Sequence, residues 1–90
     1  MIGADARPSL RRGVVLRYDR VRARHVLMYP EGVLILNQTA ADVLRRCDGT
    51  ATVAGIGMAL SGQYQGFQDG DVADVLGRLV ERGMIEVNRD

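Results

Sequence analysis

The spacing of apolar residues in this chain changes once, after Leu36, and that change limits the folds open to it. Before the change, short runs rich in β-forming residues predict three strands, Val14–Tyr18, Val26–Tyr29 and Val33–Leu36. The connections between them are short, and Tyr29-Pro30-Glu31-Gly32 suits a type I turn. We therefore predict a three-stranded antiparallel sheet.

After the change, apolar residues recur at helical spacing in three segments. Thr39 is the predicted N-cap of the first helix, with Asp42 three residues later as in a capping box, and Asp48-Gly49 ends it. The second predicted helix is Thr52–Tyr64, and the third is approximately Asp71–Gly83.

These elements together predict one α+β domain. Strands followed by helices favour packing of the helices against one face of the sheet. Met84–Val87 is predicted to add a short C-terminal strand after the helices. Ninety residues are too few for two independent cores, so we expect a single domain over residues 10–88. Residues 1–9 are mostly small or polar and are predicted to form a flexible tail.

Basic charge is concentrated near the N-terminus. All twelve basic residues are arginine, and seven of them lie between Arg7 and Arg24, although the net charge is only +1. This distribution fits either a solvated edge or a surface that attracts an acidic partner. The single cysteine cannot form an internal disulfide, and we find neither a signal-peptide pattern nor a stretch of membrane-spanning length. We therefore predict a cytoplasmic protein with no membrane partner.

Residues that could carry catalysis are few. The chain has one histidine and one cysteine, so it lacks the usual combinations for nucleophilic catalysis or for a zinc site. Cys47 lies on an apolar helical stripe and is predicted to be a core residue, whereas His25 is predicted to be a partly exposed strand residue. Asp69, Asp71 and Asp74 are predicted to stabilise a helix start rather than to bind a cation. We predict no enzyme activity, no cofactor and no metal.

One alternative is a winged-helix regulator that binds DNA. Such a protein inserts one helix into the major groove, where positive or hydrogen-bonding side chains are needed. The exposed positions of the third helix instead carry three acids and two bases, a balance that phosphates would repel. These residues are Asp71, Asp74, Glu81, Arg78 and Arg82. Nucleic-acid binding is therefore disfavoured, although it stays the alternative function.

The other alternative is capture of a peptide at the edge of the sheet. Val33–Leu36 is the last strand before the chain enters the helices, so it can be an edge strand. An edge strand offers unpaired N–H and C=O groups to which an extended peptide can add. The same apolar run also fits burial by the helices or by a second copy of the chain. Both readings remain open at this level.

Several runs of residues together resemble the PqqD family, coenzyme PQQ synthesis protein D. They are Leu27-Met28-Tyr29-Pro30-Glu31-Gly32, Leu36-Asn37, Thr39-Ala40-Ala41-Asp42-Val43-Leu44 and Cys47-Asp48-Gly49. The likeness extends over approximately residues 8–87. It implies a winged-helix-like fold and the role of a peptide chaperone, a recognition element for ribosomally synthesised and modified peptides (RiPPs).

The resemblance also implies partners and a site. The partners are the precursor peptide PqqA and the radical S-adenosylmethionine (SAM) enzyme PqqE, which joins a glutamate and a tyrosine of that peptide early in pyrroloquinoline quinone (PQQ) synthesis. The peptide is expected along the third strand, in a groove closed by the third helix. The expected strand contacts are Gly32, Val33, Leu34, Ile35 and Leu36. The expected helix wall is Val72, Val75, Leu76 and Leu79, with Arg78 and Arg82 available to carboxylates of the peptide. A monomer and a homodimer are both compatible with this site.

Overall fold

The computed structural model describes residues 3–64 and 69–88, which form a mixed fold with a strand near each end. The strands are β1 (Arg7–Leu10), β2 (Val15–Asp19), β3 (Arg24–Tyr29), β4 (Gly32–Ile35) and β5 (Ile85–Asn88). The helices are α1 (Gln38–Arg45), α2 (Val53–Ser61) and α3 (Asp69–Glu81). The predicted α+β class, with a three-stranded antiparallel sheet, three helices and a C-terminal strand, is confirmed.

The three-stranded sheet has the order β2-β3-β4 and buries one of its faces. Leu27 of β3 pairs with Leu16 on one side and with Leu34 on the other, so the three leucines form a row across the sheet. Leu27 is fully buried, and its two neighbours pack against the core. On the opposite face Met28 and Val33 are exposed. The helices therefore cover only the leucine face.

The helices supply the other half of the core. Their largest fully buried side chains recur at helical spacing, as the amphipathic pattern predicts. They are Val43 and Leu44 of α1, Ile56 and Leu60 of α2, and Val72 and Leu76 of α3. Burying a side chain of this size stabilises a fold by roughly 1.5–3 kcal/mol. Over the described ranges, no helix is long and apolar enough to cross a membrane.

The start of α1 differs from the prediction. Asn37, not Thr39, is the N-cap, and its side chain accepts a hydrogen bond from the N–H of Ala40 at 2.8 Å. Asparagine is at least as good an N-cap as threonine, so the helix begins two residues earlier than the capping-box pattern indicated. The prediction for Thr39 was therefore wrong. The second helix does begin as predicted, with the Thr52 hydroxyl accepting from the N–H of Gly55.

Asp42 consequently lies in the body of α1 and has a different role. Its side chain is only 3% exposed, and the carboxylate pairs with Arg45 one turn further along. The hydroxyl of Tyr64 donates to the same carboxylate, and Gln38 lies at 3.5 Å. A buried carboxylate needs such partners because it has lost its hydration. This network ties α1 to the segment that follows α2.

The N-terminal segment also differs from the prediction of a flexible tail over residues 1–9. Strand β1 begins at Arg7 and pairs antiparallel with β5, from Arg7 opposite Asn88 to Leu10 opposite Ile85. Ala6 is fully buried, and its carbonyl accepts from the N–H of Val53 at 2.9 Å. The prediction rested on local composition, whereas this strand depends on a partner at the other end of the chain.

We predict that Ala6→Asp lowers the free energy of unfolding by roughly 2–4 kcal/mol, because it places a carboxylate without a designed partner in the core. Asp5→Ala, at the exposed neighbouring position, is the matched control and should change it by less than about 0.5 kcal/mol. Urea unfolding of the two variants and the parent measures both effects. Equal stability of all three proteins would restore the flexible-tail reading.

Candidate functional site

A groove of about 220 Å³ opens between β4, the start of α1 and one side of α3. Its lining combines five apolar side chains with one asparagine and two arginines. They are Leu34, Leu36, Ala40, Val75 and Leu79, together with Asn37, Arg78 and Arg82. The alternation of β4 and the next residues brings Leu34 and Leu36 to this side, and helical spacing brings Val75 and Leu79 to face them. The groove is thus apolar at its base and basic at its helix wall.

The main chain of β4 is paired on one side only. Strand β4 lies at an edge of the sheet as far as the described residues show. The N–H of Leu36 donates to the carbonyl of His25 at 3.0 Å. This bond shows which residues of the strand direct their main-chain groups toward β3. In an antiparallel ladder alternate residues bond to the same neighbour. Leu34 therefore bonds toward β3, whereas Val33 and Ile35 direct their N–H and C=O groups away from it.

The expected site residues fall into three groups in the structure. Six lie together in the groove, either in the strand, directly after it or on the helix. They are Leu34, Leu36, Val75, Arg78, Leu79 and Arg82. The side chains of Val33 and Ile35, 51% and 47% exposed, lie on the opposite face of the sheet, so these residues offer the groove only main-chain groups. Gly32 pairs with Tyr29 at the start of β4.

Val72 and Leu76 form the third group and do not line the groove. Both are 0% exposed and belong to the core cluster beneath it. They stand on the inner side of α3, and all four predicted apolar helix residues share one broad stripe. Sequence spacing could not divide that stripe between core and groove. Asn37 and Ala40 were missed as lining residues; the only available signal was their position directly after the third predicted strand.

The groove carries positive charge without internal neutralisation. Arg78 and Arg82 are exposed. In the parts of the chain that the structure describes, the ion pairs are Arg22–Asp19 and Arg45–Asp42, so neither groove arginine is engaged. A guanidinium group presents several N–H donors in one plane and suits a carboxylate.

The family of the chain follows from comparison with known proteins. The family model of coenzyme PQQ synthesis protein D (PqqD) matches residues 24–85, which include β3, β4 and all three helices. The chain belongs to the PqqD family. A PqqA binding protein of Stutzerimonas stutzeri is 42% identical to it over 83 residues, covering 89% of each chain. The groove lies entirely within the matched residues.

Solved structures agree with the PqqD assignment. The solution structure of the PqqD part of Methylobacterium extorquens PqqCD, described as a functional stand-alone RiPP recognition element, has a TM-score of 0.75 and 35% identity. The match covers 96% of this chain and 95% of that one. The heterocyclase TruD matches with a TM-score of 0.69 at 21% identity, over 92% of this chain and 12% of TruD, which shows a shared fold alone. The predicted family is confirmed.

The two residues considered for catalysis, Cys47 and His25, both pack against other residues of the fold. Cys47 is buried, as predicted, and its Sγ lies 3.3 Å from the carbonyl oxygen of Val43. Burial, helped by the charge of Asp48, raises the pKa of the Cys47 thiol to about 12. His25 is half-buried in β3 and packs edge-on against Tyr18, with ring centres 5.0 Å apart. Within residues 3–64 and 69–88 no cluster of His, Cys, Asp or Glu could hold a metal ion.

We predict that Cys47 makes stability fall at alkaline pH. An unfolded thiol ionises near pH 8.5, whereas the folded thiol keeps its proton up to about 12. The contribution of Cys47 is therefore complete below about pH 8.5 and is lost as the pH rises toward 12. Between about pH 7.5 and 9.5, the unfolding free energy should fall by roughly 1 kcal/mol more in the parent than in Cys47→Ala. Urea unfolding at the two pH values measures this difference. Equal falls would mean that the folded thiol ionises normally.

Proposed function

We propose that this chain binds the precursor peptide PqqA as an additional strand on the free edge of β4. The observation that carries the proposal is the outward main chain of Val33 and Ile35 beside an apolar groove. Membership of the PqqD family, and the name PqqA binding protein carried by a relative 42% identical, support PqqA as the peptide.

Strand addition divides recognition between main chain and side chains. Hydrogen bonds to Val33 and Ile35 hold the peptide alongside β4 as a strand, and each contributes about 0.5–1.5 kcal/mol net. Alternate peptide side chains then enter the groove against Leu34, Val75 and Leu79, where apolar burial adds roughly 25 cal/mol per Å². The other peptide side chains extend the exposed face of the sheet. Because both walls of the groove are preformed, most of the ordering cost falls on the peptide.

The bound peptide is then presented to the radical SAM enzyme PqqE for glutamate–tyrosine cross-linking, in the cytoplasm. The chain offers binding surfaces rather than a nucleophile with its base, which supports a division of labour with a separate enzyme. Holding the peptide beside PqqE raises the effective concentration of the substrate. One copy of the chain supplies both walls of the groove, so the proposal requires no second copy.

We predict that Ile35→Pro and Leu34→Pro have different effects. Proline at position 35 removes a donor that faces the free edge, and edge strands tolerate proline. This variant should keep its fold and bind PqqA roughly tenfold more weakly. Proline at position 34 removes a bond to β3 and disturbs the core, which should destabilise the fold by about 3 kcal/mol or more. Thermal unfolding and calorimetric titration with PqqA measure both effects.

Ile35→Ala is the control for the side chain, because it truncates an exposed group and keeps the N–H donor. It should bind PqqA within about twofold of the parent. In amide NMR spectra, saturating PqqA should shift the signals of Val33–Leu36 and of α3. An unchanged spectrum at those positions would reject strand addition at β4.

A further inference from the structure

A second cavity, of about 200 Å³, adjoins the peptide groove at the start of β4. Three pieces of chain form its walls: the Arg11–Arg12 segment before β2, the Tyr29–Glu31 turn between β3 and β4, and the Arg82–Met84 segment after α3. Arg82 lines both this cavity and the groove. We call the cavity the arginine pocket. The groove and the arginine pocket therefore share one wall residue, Arg82.

The arginine pocket holds an excess of positive charge. Three arginines, Arg11, Arg12 and Arg82, line it together with one acidic residue, Glu31. Its formal charge is therefore +3 from the arginines and −1 from Glu31, or +2. None of the three arginines lies within 4.0 Å of a carboxylate oxygen in the described residues. Guanidinium groups without an ion-pair partner can bind carboxylates through paired N–H donors.

The walls of the pocket are held by main-chain hydrogen bonds. The N–H of Arg11 donates to the carbonyl of Met84 at 2.9 Å, and the N–H of Val14 donates to the carbonyl of Arg11 at 2.9 Å. Gly83 has a φ of +76°, and a Cβ atom there would lie 3.4 Å from Nη1 of Arg11. The guanidinium of Arg11 therefore lies beside Gly83, two residues after the end of α3, in a position only glycine suits well.

The negative end of α3 does not cancel this charge. Two of its last carbonyl groups are occupied, because Met84 donates to Leu79 and Gly83 donates to Val80. A helix C-terminus repels anions mainly through carbonyl groups that lack partners. Here those groups are partly neutralised by the turn that leads into β5.

The position of the pocket relates it to one end of the proposed peptide strand. Gly32 pairs with Tyr29, so β4 starts at the turn that forms one wall of the pocket. A strand advances by about 3.3 Å per residue. A peptide bonded to Val33 and Ile35 that continues past the start of β4 therefore runs toward the end of the sheet where the pocket lies.

We infer that the arginine pocket binds a carboxylate of the peptide held on β4, an inference that rests on the proposed function. The carboxylate belongs either to an aspartate or glutamate side chain or to the C-terminus of the peptide. The groove itself accepts apolar side chains at several positions, and main-chain bonding alone allows the strand to run in either direction. A single charged contact at one end distinguishes the two directions and fixes the register.

The test combines a protein variant with peptide variants. Arg12→Gln removes one guanidinium of the pocket and leaves the groove intact, because Arg12 does not line the groove. Arg20→Gln is the matched control, with the same loss of charge at an exposed position outside the pocket. The peptides are PqqA from the source organism, versions with each acidic residue changed singly to its amide, and a version with an amidated C-terminus. Calorimetric titration gives each dissociation constant.

We expect Arg12→Gln to weaken PqqA binding roughly 3- to 10-fold and Arg20→Gln to leave it within about twofold. One peptide change should weaken binding to the parent protein by a similar factor and have no further effect on Arg12→Gln. An acid-to-amide change with this behaviour identifies a side-chain carboxylate, and the amidated peptide identifies the C-terminus. If every peptide change has the same effect on parent and variant, the inference is wrong while strand addition stands. Failure of PqqA to bind the parent protein would overturn the proposed function itself.

Discussion

The register of the three-stranded sheet is the constraint on which the rest of the structure depends. Leu16, Leu27 and Leu34 form one row beneath the helices, and their burial selects that register. Because side chains alternate between faces, a slip of one residue in β4 would expose Leu34 and bury Val33 and Ile35. The same slip would exchange the main-chain groups that face β3 for those that face the open edge. The register of the sheet therefore determines both the packing of the core and the main-chain groups that β4 offers to the proposed peptide.

Local patterns predicted most of the elements. Alternation and helical spacing placed β2 to β4 and all three helices because each element carries its own apolar face. The N-terminal strand could not be predicted in this way. The buried Pro8 lies in β1, whose partner β5 is near the other end of the chain, and the carbonyl of the buried Ala6 accepts from the N–H of Val53, which is also distant in sequence. The start of α1 was misplaced because Asn37 and Thr39 are both good N-cap residues and spacing alone does not choose between them.

Which apolar residues of α3 line the groove likewise could not be predicted from the sequence. Val72 and Leu76 are chemically similar to Val75 and Leu79, yet the first pair lies wholly in the core, whereas the partly buried Val75 and the core residue Leu79 also line the groove. Only the angle at which α3 packs on the sheet separates them. The charge pattern was more informative. The mixture of acidic and basic residues on α3 argued against DNA binding. The same helix supplies two arginines, Arg78 and Arg82, to the groove.

The pairing of β1 with β5 has a consequence for how this domain can be connected to other proteins. Arg7 and Asn88 are opposite each other in the ladder, so the chain enters β1 beside the point at which it leaves β5. The arginine pocket lies at the other end of the same ladder, near Leu10 and Ile85. A short linker could close the chain into a ring or graft it into a surface loop of another protein. The groove lies away from the Arg7–Asn88 end of that ladder, so such a connection would leave it open.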